Sequence, residues 1–497
     1  MSRLLFCSVL SSLKGLLVAS VCLVTASWWP SQAKAQIFDN CGTAQDPCEI
    51  STWAELDAVR TALDKHYQLV SDLSQDTVGY GLYAGPTANG GAGWTPIGEW
   101  QSEFIGTFDG NGFVISDLTI DSTFNEQDPA EMGLFGFVGE PTGDLQGEIR
   151  NVTLKGIQYT FDCKLFDFST PSVGGVIGFK QQSIDAKDLS ADGVISWDAT
   201  SCSSFGYVGG LIGFHRGELA GGRSTLVISI NNVPETEEDR FVAGGIAGIN
   251  QGTIEQVASE GSVTAGVAGG IVGFNDLTIL DSYSLATVTG EVDAGGAVGR
   301  NQGRNISRVY VAGSVTLSGT GDLGAIIGDP IVTLDQVTGP SFWNGEVVAA
   351  TDGTLGTALT QAEMRTSSSF SGWDFSETGP WQIQTGEAWS YPYLRTLTYD
   401  AIGASPAVDP IPGVELACEI GRFSATGFGS CEPCAAGSIA PVIGTTQCQS
   451  CPKGCIQPSP GQITCLACSE GETTSGLGAT ACVSELLFKD RFQLLSP

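Results

Sequence analysis

Cysteines and acids are the residues in this 497-residue chain whose spacing could organise chemistry, while histidine, the commonest catalytic base, is nearly missing. Only His66 and His215 occur. A serine hydrolase triad needs an imidazole beside a nucleophile and an orienting acid, and a zinc peptidase needs His-Glu-x-x-His. His66 lies near a short predicted cap helix and His215 in a predicted turn after a Gly-Gly-Leu-Ile-Gly-Phe phrase, so no catalytic residue is assigned. Acids are abundant, 54 against 22 basic residues. Clustered Asp or Glu can hydrolyse glycosidic bonds, but no local spacing shows which acids converge. The turn Asp109-Gly110-Asn111-Gly112 is a candidate calcium loop. EF-hand spacing and the calcium-binding nonapeptide are both absent, so calcium stays a minor reading and no cofactor is assigned. Nine cysteines crowd residues 418–482. Their rhythm is a loop of 13 or 14 residues closed by Cys-x-x-Cys, a pattern open to disulfides or to zinc.

The elements that would carry these residues repeat. A small-residue pair, apolar residues and another glycine recur seven times: GLFGFVG from Gly133, GGVIGF from Gly174, GGLIGF from Gly209, GGIAGIN from Gly244, GGIVGFN from Gly269, GGAVGRN from Gly295 and GAIIGD from Gly324. From the second copy the steps are 35, 35, 25, 26 and 29 residues. Between copies lie short β-branched and aromatic runs such as Ile279-Leu280-Asp281-Ser282-Tyr283 and Thr287-Val288-Thr289, separated by glycine or asparagine turns. Strand-length runs without helical periodicity, repeated at this interval, predict one coil of a solenoid per repeat. The expected fold class is all-β, a right-handed parallel β-helix in which no coil buries its apolar face alone. Glycine pairs suit coil corners by allowing positive φ and close approach of adjacent coils. Thr52 and Glu55 form a capping box signature, and Trp53, Leu56, Val59 and Leu63 share a helical face, predicting a helix over residues 52–65 that covers the first coil. Trp373, Trp381, Trp389, Tyr391 and Tyr393 are expected to plug the last one.

These repeats resemble the GLUG motif of bacterial surface and secreted proteins. The segments Trp94–Gly98 and Phe104–Gly112 resemble the approach to such arrays, and Phe342-Trp343-Asn344, Leu359–Met364 and Trp389–Leu394 their closing segment, so the likeness spans roughly residues 41–397. The resemblance implies a solenoid at the cell surface; the metallopeptidase activity of some members is not inherited without His-Glu-x-x-His. Downstream, Cys434-Ala-Ala-Gly437, Cys451-Pro-Lys-Gly454 and Cys468-Ser-Glu-Gly471 resemble the ephrin-receptor-like cysteine-rich repeat of extracellular proteins. With export and too short a segment for an apolar core, disulfides are expected rather than zinc, and no metal ligand is assigned. Loop rhythm then pairs Cys418 with Cys431, Cys434 with Cys448, Cys451 with Cys465 and Cys468 with Cys482, leaving Cys455 over; Cys41 with Cys48 and Cys163 with Cys202 complete the set.

Export is expected from the start of the chain, where Arg3 and Lys14 precede an apolar run over residues 15–25 and Ala33-Lys34-Ala35 offers a cleavage site. Val21 before Cys22 is a poor lipidation context. The expected organisation is a signal peptide (1–35), N-terminal cap and first coils (36–132), repeat solenoid (133–329), C-terminal cap (330–399), proline-bearing linker (400–417), cysteine-rich module (418–482) and tail (483–497). A formal net charge of −32 disfavours nucleic acid and anionic lipid as partners, and no later apolar run is long enough to span a membrane. The expected function is a secreted or cell-surface protein in adhesion or ligand display, non-catalytic, with an extracellular protein or glycan as ligand and no membrane insertion. The alternative is a secreted polysaccharide-active enzyme using carboxylates on the solenoid face. A groove with two carboxylates about 5 to 10 Å apart beside exposed aromatics would favour the enzyme, and its absence display.

Overall fold

A computed structural model describes Phe38 and residues 40–484 except 125–129, 141–146, 164–169, 201, 203–204, 234–239, 304, 332–338, 349–354, 384–389, 398–420, 424–430, 442–444 and 470. The expected signal peptide, the linker, Cys418, Trp389 and the tail beyond residue 484 fall outside the described residues.

The described residues place 28 strands in one parallel sheet that winds into a β-solenoid. Its coils follow the repeated phrase. Along one ladder Phe135, Ile177, Ile212, Ala247, Val272, Val298 and Ile327 lie in register, each in successive copies of the phrase. Inside this ladder, Leu134, Val176, Leu211, Ile246, Ile271, Ala297 and Ile326 are all 0% exposed, forming an apolar column that no single coil could bury. Stacking of like residues is what a parallel register dictates, because side chains at equivalent positions sit one strand spacing apart.

The glycine pairs work by close approach and not by positive φ. A Cβ on Gly245 would overlap the carbonyl oxygen of Gly270 in the next coil, and one on Gly270 that of Gly296. Left-handed backbone appears at a later corner, at Asn151, Asp188, Gly221, Gln256, Asp281 and Arg308, one in each of six successive coils. Glycine is thus needed where backbones touch, whereas the left-handed corner admits side chains that pair along the stack, as Arg308 does with Asp281 at 2.6 Å.

The N-terminal helix is shorter than predicted. Thr52 caps Trp53–Ala58, a 3-10 turn Val59–Thr61 follows, and His66–Leu69 is already a strand. Trp53, Leu56 and Val59 are fully buried, but the strand register of Tyr67 with Cys48 and Phe108 draws the chain out of helix before Lys65. A complete capping box stands instead at Thr360 and Glu363, opening the helix Gln361–Met364.

The C-terminal aromatics cover a flank of the last coils. Ala258, Tyr283, Tyr310 and Phe342 are in register along one ladder, and Phe370, Trp373, Trp381 and Tyr391 pack on them in one buried cluster. Trp381 donates its indole N–H to Asp281 Oδ1 at 2.9 Å and Tyr310 its hydroxyl to the Pro392 carbonyl at 2.8 Å. Buried rings of this kind offer no platform to a sugar.

The described C-terminal residues form short antiparallel hairpins that repeat along the chain. In successive units the amide of Cys434, Cys451 and Cys468 donates to the carbonyl of Gly421, Gly437 and Gly454 at 3.0, 2.9 and 2.8 Å. Those three glycines and Gly471 all have positive φ, which explains the glycine that recurs three residues after Cys418, Cys434, Cys451 and Cys468.

Candidate functional site

The third residue after each strand start on the glycine-phrase ladder points outward, and register stacks Phe137, Phe179, Phe214, Ile249, Phe274, Arg300 and Asp329 into a column. Phe137 and Phe179 stack with centroids 4.8 Å apart, Phe179 and Phe214 at 4.5 Å, both pairs nearly coplanar in orientation. At Ile249 the run of rings is interrupted. A hollow of about 320 Å³ opens there, lined by Phe205, Tyr207, Phe214, Ile249, Phe274 and Arg300 among others. Tyr207 meets Phe214 edge-on, and Phe205 is 45% exposed.

A polar row borders the aromatic one. Arg216 lies over the faces of Phe214 and Phe179 at 5.1 and 5.5 Å, donates to Gln251 Oε1 at 3.1 Å and reaches Gln181 Oε1 at 3.4 Å; Gln251 in turn donates to Asp276 at 2.8 Å. At the far end Asp293, Asp322 and Asp329 bring carboxylate oxygens within 4.8 Å of one another. Arg300 pairs with Asp293 and lies 3.9 Å from Asp329. Burial, then the neighbouring Asp293 and Asp322 charges, push the Asp329 carboxyl above its usual range, with Arg300 opposing.

Inside the same turn of the solenoid runs a second polar column: Lys180, His215, Asn250, Asn275 and Asn301, each 0% exposed. Asn250 donates to Asn275 Oδ1 and Asn275 to Asn301 Oδ1, both at 2.8 Å. Lys180 donates to the Arg216 carbonyl at 2.8 Å. Desolvation lowers its ammonium to about 7 despite Asp185 and Glu218 nearby. His215 sits on the strand Ile212–Ser224 and not in a turn. Its Nε2 is 3.3 Å from the Thr253 carbonyl and its Nδ1 is buried without a hydrogen-bond partner, while burial and Lys180 drive its pKa well below the usual imidazole value. With no solvent exposure and the Lys180 amine beside it, the His215 imidazole is not placed to take a proton from a substrate on the outer face. His66 opens the strand His66–Leu69.

Asp109, the candidate calcium ligand, is already saturated. Its oxygens accept from Asn111 N at 2.8 Å, Asn151 Nδ2 at 2.9 Å and Arg150 Nε at 2.8 Å. Although burial opposes it, these bonds and the guanidinium hold the carboxyl below its ordinary range, and a cation beside Arg150 would be repelled. The turn does not fit calcium.

Disulfides join Cys41 to Cys48, Cys434 to Cys448, Cys451 to Cys465 and Cys468 to Cys482. Cys202 and Cys431 are disulfide-bonded as well; the side chain of Cys163 and all of Cys418 lie outside the described residues. Cys455 carries a free thiol. A ladder of bridges in a segment this poor in apolar residues belongs to an oxidising compartment.

Comparison with known proteins agrees with that C-terminal reading. Residues 441–482 match the family model described as tyrosine-protein kinase ephrin type A/B receptor-like. The match begins later than residue 418, although the unit from Gly421 to Cys434 shares the hydrogen bond of its successors. A protein of Evansella cellulosilytica provisionally named a Gly-rich membrane protein is 37% identical over 134 residues, 26% of this chain and 14% of that protein. Halomucin of Haloquadratum walsbyi is 29% identical over 176 residues, 35% of this chain and 2% of its own length. The chain thus spans a small part of either relative. Among solved structures, a Bacteroides ovatus protein provisionally assigned as an immunoglobulin A1 protease aligns over 73% of this chain and 96% of its own, at 17% identity and a TM-score of 0.39. A likeness that loose bears on neither fold nor function. Among the described residues no helix is long and apolar enough to cross a membrane.

Proposed function

We propose that this chain is an exported surface protein whose solenoid acts by binding, in adhesion or ligand display, without catalysis, and that its repeats are of the GLUG type. The observation that carries the reading is the open aromatic hollow at Ile249 on the outer face, while His215 is sealed inside the solenoid. The disulfide ladder and relatives named as a membrane protein and a halomucin support a location outside the cytoplasm. The ligand is an extracellular protein or glycan. The test is an array of glycans and extracellular-matrix proteins probed with the purified full chain. Retention on a restricted set of ligands is expected; uniform absence of binding by folded protein would overturn the reading.

One observation favours a second reading. Asp293, Asp322 and Asp329 converge beside the exposed rings, near the separation at which a retaining glycosidase sets its two carboxyl groups, about 5 Å. Asp329, held toward its protonated form, would serve as acid and Asp293 as nucleophile. Arg300 opposes this, since its guanidinium occupies Asp293. Release of reducing ends from a polysaccharide panel, abolished by Asp329→Asn, would replace the binding reading with the enzymatic one.

A further inference from the structure

A second outward face belongs to a different ladder, the one that joins Ile184–Asp198, Val227–Asn231, Ser262–Gly269, Thr287–Gly295 and Val315–Leu317. Its inward residues Ile195, Ile228, Val263, Val288 and Val315 are all buried in the core, so the side chains before and after each of them point outward. Register gathers these into two columns. One holds Ser196, Ser229, Thr264, Thr289 and Thr316, and Thr160 on the strand Thr153–Cys163 extends it backwards. The other holds Val194, Val227, Ser262 and Thr287, with Ser314 Oγ carrying it on at 3.4 Å from Thr287 Oγ1. Pairing runs through all of these rungs without a register shift.

Parallel stacking spaces the rungs of a column about 4.8 Å apart, and two residues of extended strand set the columns about 6.6 Å from one another. Threonine and valine are stiff at χ1, so these positions are held before anything binds. The hydroxyls of Ser196, Ser229 and Thr264 make no hydrogen bond to another described residue and are left to water. At the last coil the Thr289 and Thr316 hydroxyls lie 3.0 Å apart, inside the strand spacing, and there the lattice closes on itself. From Val194 to Thr316 neither column carries a charge, in a chain with 54 acidic residues; Asp198 and Glu291 stand at the border, on the next outward position. These features select the ligand. A charged partner finds no counter-charge here, and a single side chain or sugar finds short, level residues in place of a hollow and no aromatic ring to lie on. What fits is a neutral, extended lattice of hydrogen-bonding groups with the same two repeats. Oxygen atoms on a prism face of hexagonal ice repeat close to the first spacing in one direction and slightly beyond the second in the other.

We propose that this face binds ice. Ser196, Ser229, Thr264 and Thr289 place hydroxyls, and Val227 and the threonine methyl groups place apolar contacts, against a first water layer that the crystal surface shares. Waters already ordered by a rigid array lose little more freedom when they join the crystal, and many weak rungs engaged at once add up to retention. The proposal is independent of the adhesive reading, which rests on the hollow at Ile249 on another ladder.

The test grows ice slowly from a seeded cold surface into a solution of the purified full chain and measures the protein taken into the ice, beside the growth of ice grains during annealing. Enrichment in the ice fraction and arrested grain growth are expected for wild type. Thr264→Tyr, in the middle of the lattice, should return the protein to the liquid, as an ordinary solute is excluded. Leu82→Tyr, at a 71% exposed position on the short helix Tyr80–Tyr83, should leave uptake unchanged. Ser229→Thr, which lengthens the threonine run, should raise uptake, an effect that a merely solvated face would not show. Circular dichroism near the freezing point checks that the variants fold; should Thr264→Tyr fail to fold, Ser229→Tyr decides by the same criterion. Exclusion of wild type from ice, or equal uptake of wild type and a folded lattice variant, would overturn the proposal, and so would retention on crystalline cellulose or chitin without uptake into ice. A glycan and matrix-protein array without ligands would remove the adhesive reading and leave this one standing.

Discussion

Lys180 should make the solenoid more stable as the solution becomes more alkaline. Its side chain is fully buried, its hydrogen bonds run to the backbone carbonyls of Arg216 and Gln181, and desolvation outweighs Asp185 and Glu218 to bring the ammonium from 10.5 down to about 7. Below pH 7 the lysine is protonated both folded and unfolded, so the full cost of burying the charge is present and does not vary. Between about 7 and 10.5 the unfolded chain holds the proton and the folded chain has released it, so unfolding takes up a proton and stability rises with pH, by at most ~1.4 kcal/mol per unit. Over the whole window the gain is of the order of 4 to 5 kcal/mol. His215 acts in the same direction at lower pH. Its buried imidazole stays neutral where the unfolded one protonates, so stability falls as pH drops below about 6.5.

Urea unfolding of wild type and Lys180→Met across roughly pH 6 to 10 reads the lysine alone above about pH 7, and below that also its coupling to His215, whose imidazole the Lys180 charge helps to hold neutral. Methionine fills a similar volume without a charge. The variant is expected to be the more stable protein near pH 6 and to lose most of that advantage by pH 10, with unchanged m-values. Parallel stability curves would refute the argument, because they would mean that the ammonium keeps its proton, and with it water, inside the fold.

Two further outcomes follow from the stacked columns. Asn275→Ala removes the bonds to Asn250, Asn301 and the Leu277 carbonyl at 2.8, 2.8 and 3.1 Å and should cost roughly 2 to 4 kcal/mol in urea unfolding at constant pH. Gly270→Ala, whose Cβ would overlap the Gly296 carbonyl and Ser284 Oγ, should cost about 3 kcal/mol or more, whereas Gly81→Ala, with nothing within 4 Å, should stay within about 0.5 kcal/mol; similar melting temperatures for the two would overturn the close-approach account of the glycine pairs.

The glycine phrase made the coils legible because its cause is local: wherever two backbones touch, nothing but glycine fits, and the exception is paid in sequence at every turn of the solenoid. The left-handed corner was not legible. It is filled by Asn151, Asp188, Gly221, Gln256, Asp281 and Arg308, and glutamine or arginine at such a site carries no turn signal. The predicted helix over residues 52–65 failed at its C-terminal half for the opposite reason, since its apolar period was real but the pairing of Tyr67 with Cys48 outcompeted helix propensity. The terminal tryptophans were recognisable as covering residues, yet only register shows that they cover a flank built from Tyr283, Tyr310 and Phe342.

The candidate site was hidden for a related reason. Phe179, Phe214 and Phe274 stand in plain view inside GGVIGF, GGLIGF and GGIVGFN, as Ile249 does inside GGIAGIN. Read copy by copy, the isoleucine is an ordinary apolar variation. Once the copies are stacked, the same substitution is a missing ring between two present ones, and Asp293, Asp322 and Asp329, separated along the chain, become neighbours at the end of the same face. In a solenoid the deviations from the repeat carry the specificity, because the repeat itself is spent on holding the coils together. A search for function in such a chain therefore belongs at the positions where aligned repeats disagree on the outward face, and here the sharpest disagreement in size is Ile249 between Phe214 and Phe274.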